Sequence, residues 1–411
     1  MTYLIRFTYV GLWFVLASAP SPARTWTSSG GKQIEADYVR ATEDSVTIRR
    51  AGKEFTLKLD QISPADRAFV KVKYATSKLP KPPISIRPSK LDSTHEGRDL
   101  KSLDGRTLRR LSSRYAARDD YEAAAKHAFW SVAAGEDLSY NLSCYLALAG
   151  MKEDALYWLQ RAAITDGVDP GWANEDSDLR SLREDARWEK VHAFLVETSR
   201  QWSTSGLTIT NLVVPEGHDP QQAIPVAVWL HGFGADPEIA GYQDLATELG
   251  IAFLGVSGTV PHGPSSFAWA NDHAKDQRRI DAAFAEVEDR LKPEAGKIAL
   301  FGFSQGAATS AELSALHPGR YAGAIVMSPG SQKPSRLPDA PKEGTDSLTY
   351  VIACGAGEHP GNVKRSLFYA RGLERLGAKV KQKLYAEQDR HTFPPDFEEM
   401  FPAWLKEILE L

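Results

Sequence analysis

The stretch Lys297-Ile-Ala-Leu-Phe-Gly-Phe-Ser-Gln-Gly-Ala-Ala-Thr-Ser-Ala-Glu-Leu-Ser-Ala-Leu316 reads as a strand that turns sharply into a helix. Lys297–Phe303 is an apolar run of strand length, and Ala307–Leu316 is rich in the helix formers alanine and leucine. Between them Gly302-Phe303-Ser304-Gln305-Gly306 fits the pattern G-x-S-x-G, in which small residues let strand and helix pass closely and push the serine outward. At a helix start the backbone dipole favours negative charge. The five residues alone are a weak signal, since with glycine near 7% of average usage roughly one chain in ten of this length carries them by chance. The strand before and the helix after make Ser304 the candidate nucleophile.

Outward from this turn the pattern repeats. Apolar runs at Leu207–Val214, Ile224–Leu230, Ile251–Val256, Ala322–Met327, Leu348–Cys354 and Val380–Tyr385 alternate with helical patterns near 238–249, 272–292, 305–316, 362–376 and 395–410. Continuous apolar strands alternating with helices predict a mainly parallel sheet with helices on both faces over 205–411. In such sheets ligands sit at the carboxyl ends of the strands.

Three further groups fall at strand ends. Leu230-His231-Gly232-Phe233-Gly234 is a glycine-rich turn able to aim a backbone N–H at a developing oxyanion. The Phe233 and Gln305 amides are the expected donors, the second from the residue after the nucleophile. His231, ahead of the glycines, suits a structural role in that loop. A serine needs a base, and an imidazole titrating near neutrality supplies one. His391, in Asp389-Arg390-His391-Thr392-Phe393-Pro394, follows the last strand, where the chain order Ser, acid, His requires it. His359 is the rival, but it follows an earlier strand. The acid that orients the imidazole is expected at Glu358, after the strand Tyr350–Cys354; Asp346 lies ahead of that strand, at the wrong end. The loop 262–269 follows another strand end, and its Phe267 and Trp269 are expected to wall a substrate pocket.

Gly-Phe-Ser-Gln-Gly at 302–306, His-Gly-Phe-Gly at 231–234 and His-Thr-Phe-Pro at 391–394 make residues 205–411 resemble the phospholipase/carboxylesterase branch of the α/β-hydrolase superfamily. The resemblance implies hydrolysis of carboxylic esters or thioesters with no metal and no cofactor. Two residues depart from the pattern. The acid there is usually Asp, and Glu358 is one methylene longer; Ala307 stands where acyl-protein thioesterases commonly have Gly. The broader esterase label is therefore the expectation. A serine peptidase of the same fold, or an inactive hydrolase fold used as a scaffold, are the alternatives.

Ahead of 205 the chain is organised differently. Val46 and Ile48, then Phe55, Leu57 and Leu59, alternate with polar residues as half-buried strands do, and Ser63-Pro64-Ala65-Asp66 opens a helix. A small β-barrel over 24–75 is predicted. Arg24-x-Trp26, Gly31, Ile34-Glu35-Ala36, Val46 and Ile62-Ser63-x-x-Asp66 resemble an SH3-like module of endocytic adaptors, which implies either an interaction module or a structural cap. Residues 76–103, with Pro80, Pro82, Pro83 and Pro88, predict an extended linker that builds no core. Residues 104–202 predict paired helices. Tyr140–Gly150 followed by Asp154–Ala162 resembles a tetratricopeptide repeat, with Ala124 and Ala155 in equivalent places. Such helices present a surface to a peptide or protein partner, or serve as a spacer packed on the enzyme.

The whole is a multidomain chain of 411 residues, too long for one ordinary domain. A net charge of −4 and no long basic run give no footprint for nucleic acid. Cys144 and Cys354 fall in different predicted domains within apolar runs, so two buried free thiols are expected rather than a disulfide. At the N-terminus, Arg6, the apolar run Phe7–Ala17 and the small residues up to Ala23 have the form of a signal peptide over 1–23. The apolar run is shorter than the roughly 20 residues of a membrane span. The expected location is periplasmic or extracellular, with cleavage or retention of the segment left open. The expected substrate is a small-molecule or polymer-linked ester.

Overall fold

The computed structural model describes residues 23–331 and 333–411. The export segment expected at 1–23 lies, but for Ala23, outside the described residues. The described chain divides into a unit ending at Ser77 and a unit beginning at Lys78.

The first unit has four antiparallel strands, β1 (Arg24–Thr27), β2 (Gln33–Ala41), β3 (Ser45–Arg50) and β4 (Lys53–Lys58), then helix α1 (Pro64–Lys78). The alternation read from sequence points Val46 and Ile48 into a core with Trp26, Ala36, Ile62 and Val70. The strands pair in the order β1-β2-β3-β4. Among the described residues no ladder joins β4 to β1, so this is a sheet closed by a helix rather than the barrel expected. Buried Asp66 ties the helix to the sheet. It accepts from Arg24 Nη2 (2.6 Å), the Thr27 N–H (2.7 Å) and Ser63 Oγ (2.9 Å).

The second unit opens with the proline-rich stretch, and here the sequence expectation fails. Ile84, Ile86 and Leu91 pack against the helical core. The Ile84 N–H donates to Gln160 Oε1 (3.1 Å), and the Ser89 N–H donates to Asp154 Oδ1 (2.6 Å). Buried Gln160 and Asp154 need partners, and the extended backbone supplies them. A short hairpin, β5 (Thr94–His95) and β6 (Arg98–Asp99), follows. Helices α2 (Gly105–Ala116), α3 (Tyr121–Ala133), α4 (Ser139–Leu148) and α5 (Lys152–Thr165) then pack in sequence on one another. Ala124 and Ala155 are both fully buried between them. Three further helices follow: α6 (Pro170–Glu175), α7 (Arg180–Arg183) and α8 (Trp188–Ser203).

The C-terminal half is built on a seven-stranded sheet. Its elements are β7 (Thr210–Val213), β8 (Ala223–Leu230), α9 (Gln243–Leu249), β9 (Ala252–Val256), a hairpin of β10 (Val260–Pro261) and β11 (Phe267–Ala268), α10 (His273–Ala285), β12 (Lys292–Phe303), α11 (Gln305–Leu316), β13 (Gly323–Met327), β14 (Thr349–Gly355), α12 (Pro360–Arg375), β15 (Lys379–Tyr385) and α13 (Phe397–Leu409). The strand order is β15-β14-β13-β12-β8-β9-β7, parallel except for β7. Both faces are covered, as continuous apolar strands require. Val226, Val228 and Leu230 of β8 pack with residues of α10, α11 and α12, while Ala227 and Trp229 pack with residues of α9 and α13. Strand β8 leads to β9 on one side and β12 leads to β13 on the other. The crevice where connections diverge is where such a sheet holds ligands, and it lies between the carboxyl ends of β8 and β12. Among the described residues no helix is long and apolar enough to cross a membrane.

Candidate active site

The glycines around Ser304 are dictated by backbone crossings. A Cβ on Gly306 would run into the carbonyl of Leu230, and one on Gly302 would run into the backbone of Gly306. Helix α11 thus leaves β12 flush against β8. The turn forces Ser304 to φ 54° and ψ −117°, a conformation that costs an L-residue of order 1–3 kcal/mol. Ser328, at the end of the neighbouring strand β13, also has positive φ, 46°. Two residues with positive φ thus lie at adjacent strand ends. A Cβ at Gly330 would lie 2.9 Å from Ser304 Oγ, so glycine there keeps the space above the hydroxyl free.

The two amides expected to face an oxyanion are both available. Among the described residues neither the Phe233 nor the Gln305 N–H has an acceptor; Gln305 opens α11, whose first amides have no partner within the helix and suit an anion. The loop bearing Phe233 passes close to the serine: a Cβ at Gly232 would sit 3.3 Å from Ser304 Cβ. His231 is fully buried. Its Nε2 accepts the Gly258 N–H (2.8 Å), and its Nδ1 donates to the Gly232 carbonyl (2.7 Å). Burial drops its pKa to about 4, so it stays neutral and holds the loop.

His391 and Glu358 meet. His391 Nδ1 donates to Glu358 Oε2 at 2.8 Å, and the ring packs on Phe303, with centroids 4.7 Å apart. Asn362 Nδ2 lies near both His391 Nδ1 (3.1 Å) and Glu358 Oε2 (3.2 Å). With the imidazole proton on Nδ1 directed at Glu358, Asn362 donates to the carboxylate. The second oxygen, Oε1, accepts from Ser328 Oγ (2.5 Å), the Gly355 N–H (3.1 Å) and Gln388 Nε2 (3.2 Å). Five donors thus converge on a carboxylate whose side chain is wholly buried. Burial raises the Glu358 pKa, but the bonds from Ser328, His391, Gly355 and Asn362 outweigh it, and the net shift is downward. The longer Glu side chain is held in a cradle supplied by four segments: the end of β13, the end of β14, α12 and the β15–α13 loop. Among the described residues Ser304 Oγ forms no hydrogen bond to His391. Such bonds are often long before substrate binds.

The rival residues sit elsewhere. His359 caps α12, its Nδ1 accepting the Gly361 N–H. Asp346 precedes β14, at the opposite end of the sheet from Ser304.

Phe267 and Trp269 do not wall a pocket. Both are buried, at 0% and 2% exposure, because the loop expected at 262–269 folds as the β10–β11 hairpin and turns their rings inward toward His231. They act as struts. The Trp269 N–H donates to Gln305 Oε1 (3.0 Å), its carbonyl accepts from Gln305 Nε2 (2.8 Å), and its Nε1 donates to the His231 carbonyl (3.0 Å). Trp269 so ties together the two segments whose amides are free. The apolar groups that solvent does reach are Phe233, 50% exposed, and Phe393, 40% exposed and stacked on Phe303. Sequence reading passed over Asn362, Ser328 and Gln388. Asn362 carries a signal, one helical turn after Glu358; Ser328 and Gln388 reach the carboxylate only through the fold.

No protein-family model matches the chain, and no curated protein matches it in sequence. Among solved structures it is similar to a Bacillus cereus carboxylesterase, with 18% identity over 51% of this chain and 99% of that one and a TM-score of 0.38. A phospholipase/carboxylesterase from Dyadobacter fermentans is 21% identical over 48% of this chain and 95% of that one, with a TM-score of 0.34. Est1E from Butyrivibrio proteoclasticus, solved with ferulic acid bound, is 16% identical over 51% and 96%, with a TM-score of 0.36.

Proposed function

We propose that the protein is an exported serine esterase of the α/β-hydrolase type that works through Ser304, His391 and Glu358. The observation that carries this reading is the strained serine at the crevice, beside two amides without acceptors, with an imidazole held by a buried carboxylate on the following strand ends. His391 Nε2 takes the proton as Ser304 Oγ bonds to the ester carbonyl carbon. The Phe233 and Gln305 N–H groups hold the oxyanion, and Glu358 stabilises the imidazolium. The imidazolium returns the proton to the departing alkoxide, the C–O bond breaks, and an acyl-enzyme remains. Water, deprotonated by His391, then releases the acid by the same steps. Each donor to the oxyanion contributes about 10²–10³ in rate. Export follows from the signal-like segment at 1–23.

Phe233 and Phe393, exposed near Ser304, favour an ester with an apolar group. The test is a panel of p-nitrophenyl esters of rising acyl length beside a p-nitroanilide, run on the full chain. We expect ester turnover, with Phe393→Ala raising KM for the longer acyl groups several-fold and that for the acetyl ester little. Faster cleavage of the anilide than of every ester would overturn the esterase reading in favour of a peptidase.

A further inference from the structure

The loop carrying the Phe233 amide does not stand alone. The Gly234 N–H donates to the Phe267 carbonyl (2.9 Å) and the Phe267 N–H donates to the Ala235 carbonyl (3.0 Å), so the loop is laced to the β10–β11 hairpin. The hairpin tip, 262–266, is closed by the His262 and Gly263 N–H groups on the Ser266 carbonyl. That tip is docked on the helical half of the same unit. Gly263 and Gly167 cross backbone to backbone: a Cβ on Gly263 would lie 2.6 Å from Gly167 N, and one on Gly167 would lie 2.8 Å from Gly263 N. Beside the crossing Ser265 Oγ donates to Asp137 Oδ2. The two helical-half turns are themselves joined, since Asp166 Oδ2 accepts the Ser139 N–H (2.6 Å). The ring of His262 in the tip packs against Phe233, with centroids 5.3 Å apart.

We propose that the helical half belongs to the catalytic unit: its turns at 135–138 and 165–169 clamp the hairpin tip and thereby fix the loop that presents the Phe233 amide. This rests on the serine esterase reading. Asp137, Gly167, Gly263 and Ser265 are positioning residues and touch no substrate. Their effect falls on the transition state, where the oxyanion forms, and not on ground-state binding.

The experiment uses the full chain. Active serines are counted by titration with a fluorophosphonate, kcat per titrated serine and KM are measured on p-nitrophenyl acetate, and amide exchange is followed at Gly234 and Phe267. Gly263→Val forces the crossing apart. It should lower titrated kcat by about 10–100-fold, the scale of a remote misplacement near 1 Å, with KM within about twofold and faster exchange at both amides. Asp137→Ala, a milder cut that keeps the glycine crossing, should show the same signature on the order of threefold, the worth of one hydrogen bond. A merely structural role lowers the titrated fraction and leaves kcat per titrated serine unchanged. Unchanged titrated kcat in both variants overturns the coupling, as does unchanged exchange at Gly234. A native chain that neither reacts with the phosphonate nor turns over the ester removes the esterase reading itself, and this inference with it.

Discussion

Replacing Glu358 by Gln probes the part of the site where the protein departs from the pattern it resembles. The native carboxylate receives three donors on Oε1 and two on Oε2. A glutamine amide must turn its NH2 toward one of these sets. Toward Oε1 it meets the Gly355 N–H, which can only donate, and Gln388 Nε2, held as a donor by the Arg390 and Thr392 carbonyls; the Ser328 hydroxyl alone can turn to accept. Toward Oε2 it meets Asn362, which can present its own oxygen by rotating its amide, and His391. The second arrangement costs less, and it obliges His391 to accept at Nδ1 and carry its proton on Nε2. An imidazole protonated on Nε2 cannot take the proton of Ser304. We therefore expect kcat/KM to fall about 10³–10⁴-fold, the range for a triad acid changed to its amide, or about 4–5.5 kcal/mol of transition-state stabilisation. The lost charge-assisted bonds should also cost about 1.5–3 kcal/mol of stability near neutral pH. The Glu358 pKa is depressed in the folded chain from its ordinary 4.5. Its stabilisation is therefore complete above that value and is lost as pH falls through the lower folded value. The Tm gap between native and variant should narrow below pH 4.5. Hydrolysis of p-nitrophenyl acetate and thermal melts across pH read both effects. A variant within tenfold of native turnover would refute Glu358 as the acid.

Two further outcomes follow from the geometry. Gly330→Val puts carbon into the space over Ser304 Oγ and, at 3.5 Å, beside Asn362 Oδ1; turnover should drop about 100-fold or more while Tm moves only a few degrees, and normal turnover would show that substrate approaches from another side. Cys144 and Cys354 are free and buried, and burial pushes the Cys354 thiol up to about 12, so neither should react with a disulfide reagent until the chain is unfolded; rapid reaction of the native chain would contradict this.

The sheet was legible in sequence because its strands are buried on both faces and their apolar runs are unbroken. Each of the seven expected runs lies within a residue or three of an observed strand, save that β12 begins at Lys292, across a register shift between Pro293 and Ile298. That Ser304, His391 and Glu358 share one edge of the sheet could be read because each follows a strand and the parallel order sends all such ends to one side. What could not be read is what depends on side-chain direction. Phe267 and Trp269 looked like pocket residues because they are aromatic and follow a strand end; a two-residue ladder, too short for any periodicity, turns them into the core. The proline-rich stretch looked core-free because its few apolar residues are dispersed, yet Ile84, Ile86 and Leu91 find a ready apolar surface on α5 and its neighbours. The backbone crossing of Gly167 and Gly263 joins positions almost a hundred residues apart, and neither glycine stands out from the other turn glycines along the chain.

The central claim is that Ser304 is the nucleophile of this chain, activated by His391. Incubating the full chain with a fluorophosphonate and mapping the modified peptide by mass spectrometry tests it most directly. We predict a single adduct on Ser304, absent in Ser304→Ala, strongly slowed in His391→Ala, and formed in proportion to the loss of ester turnover. An adduct on another residue, or ester turnover that survives Ser304→Ala, would contradict it.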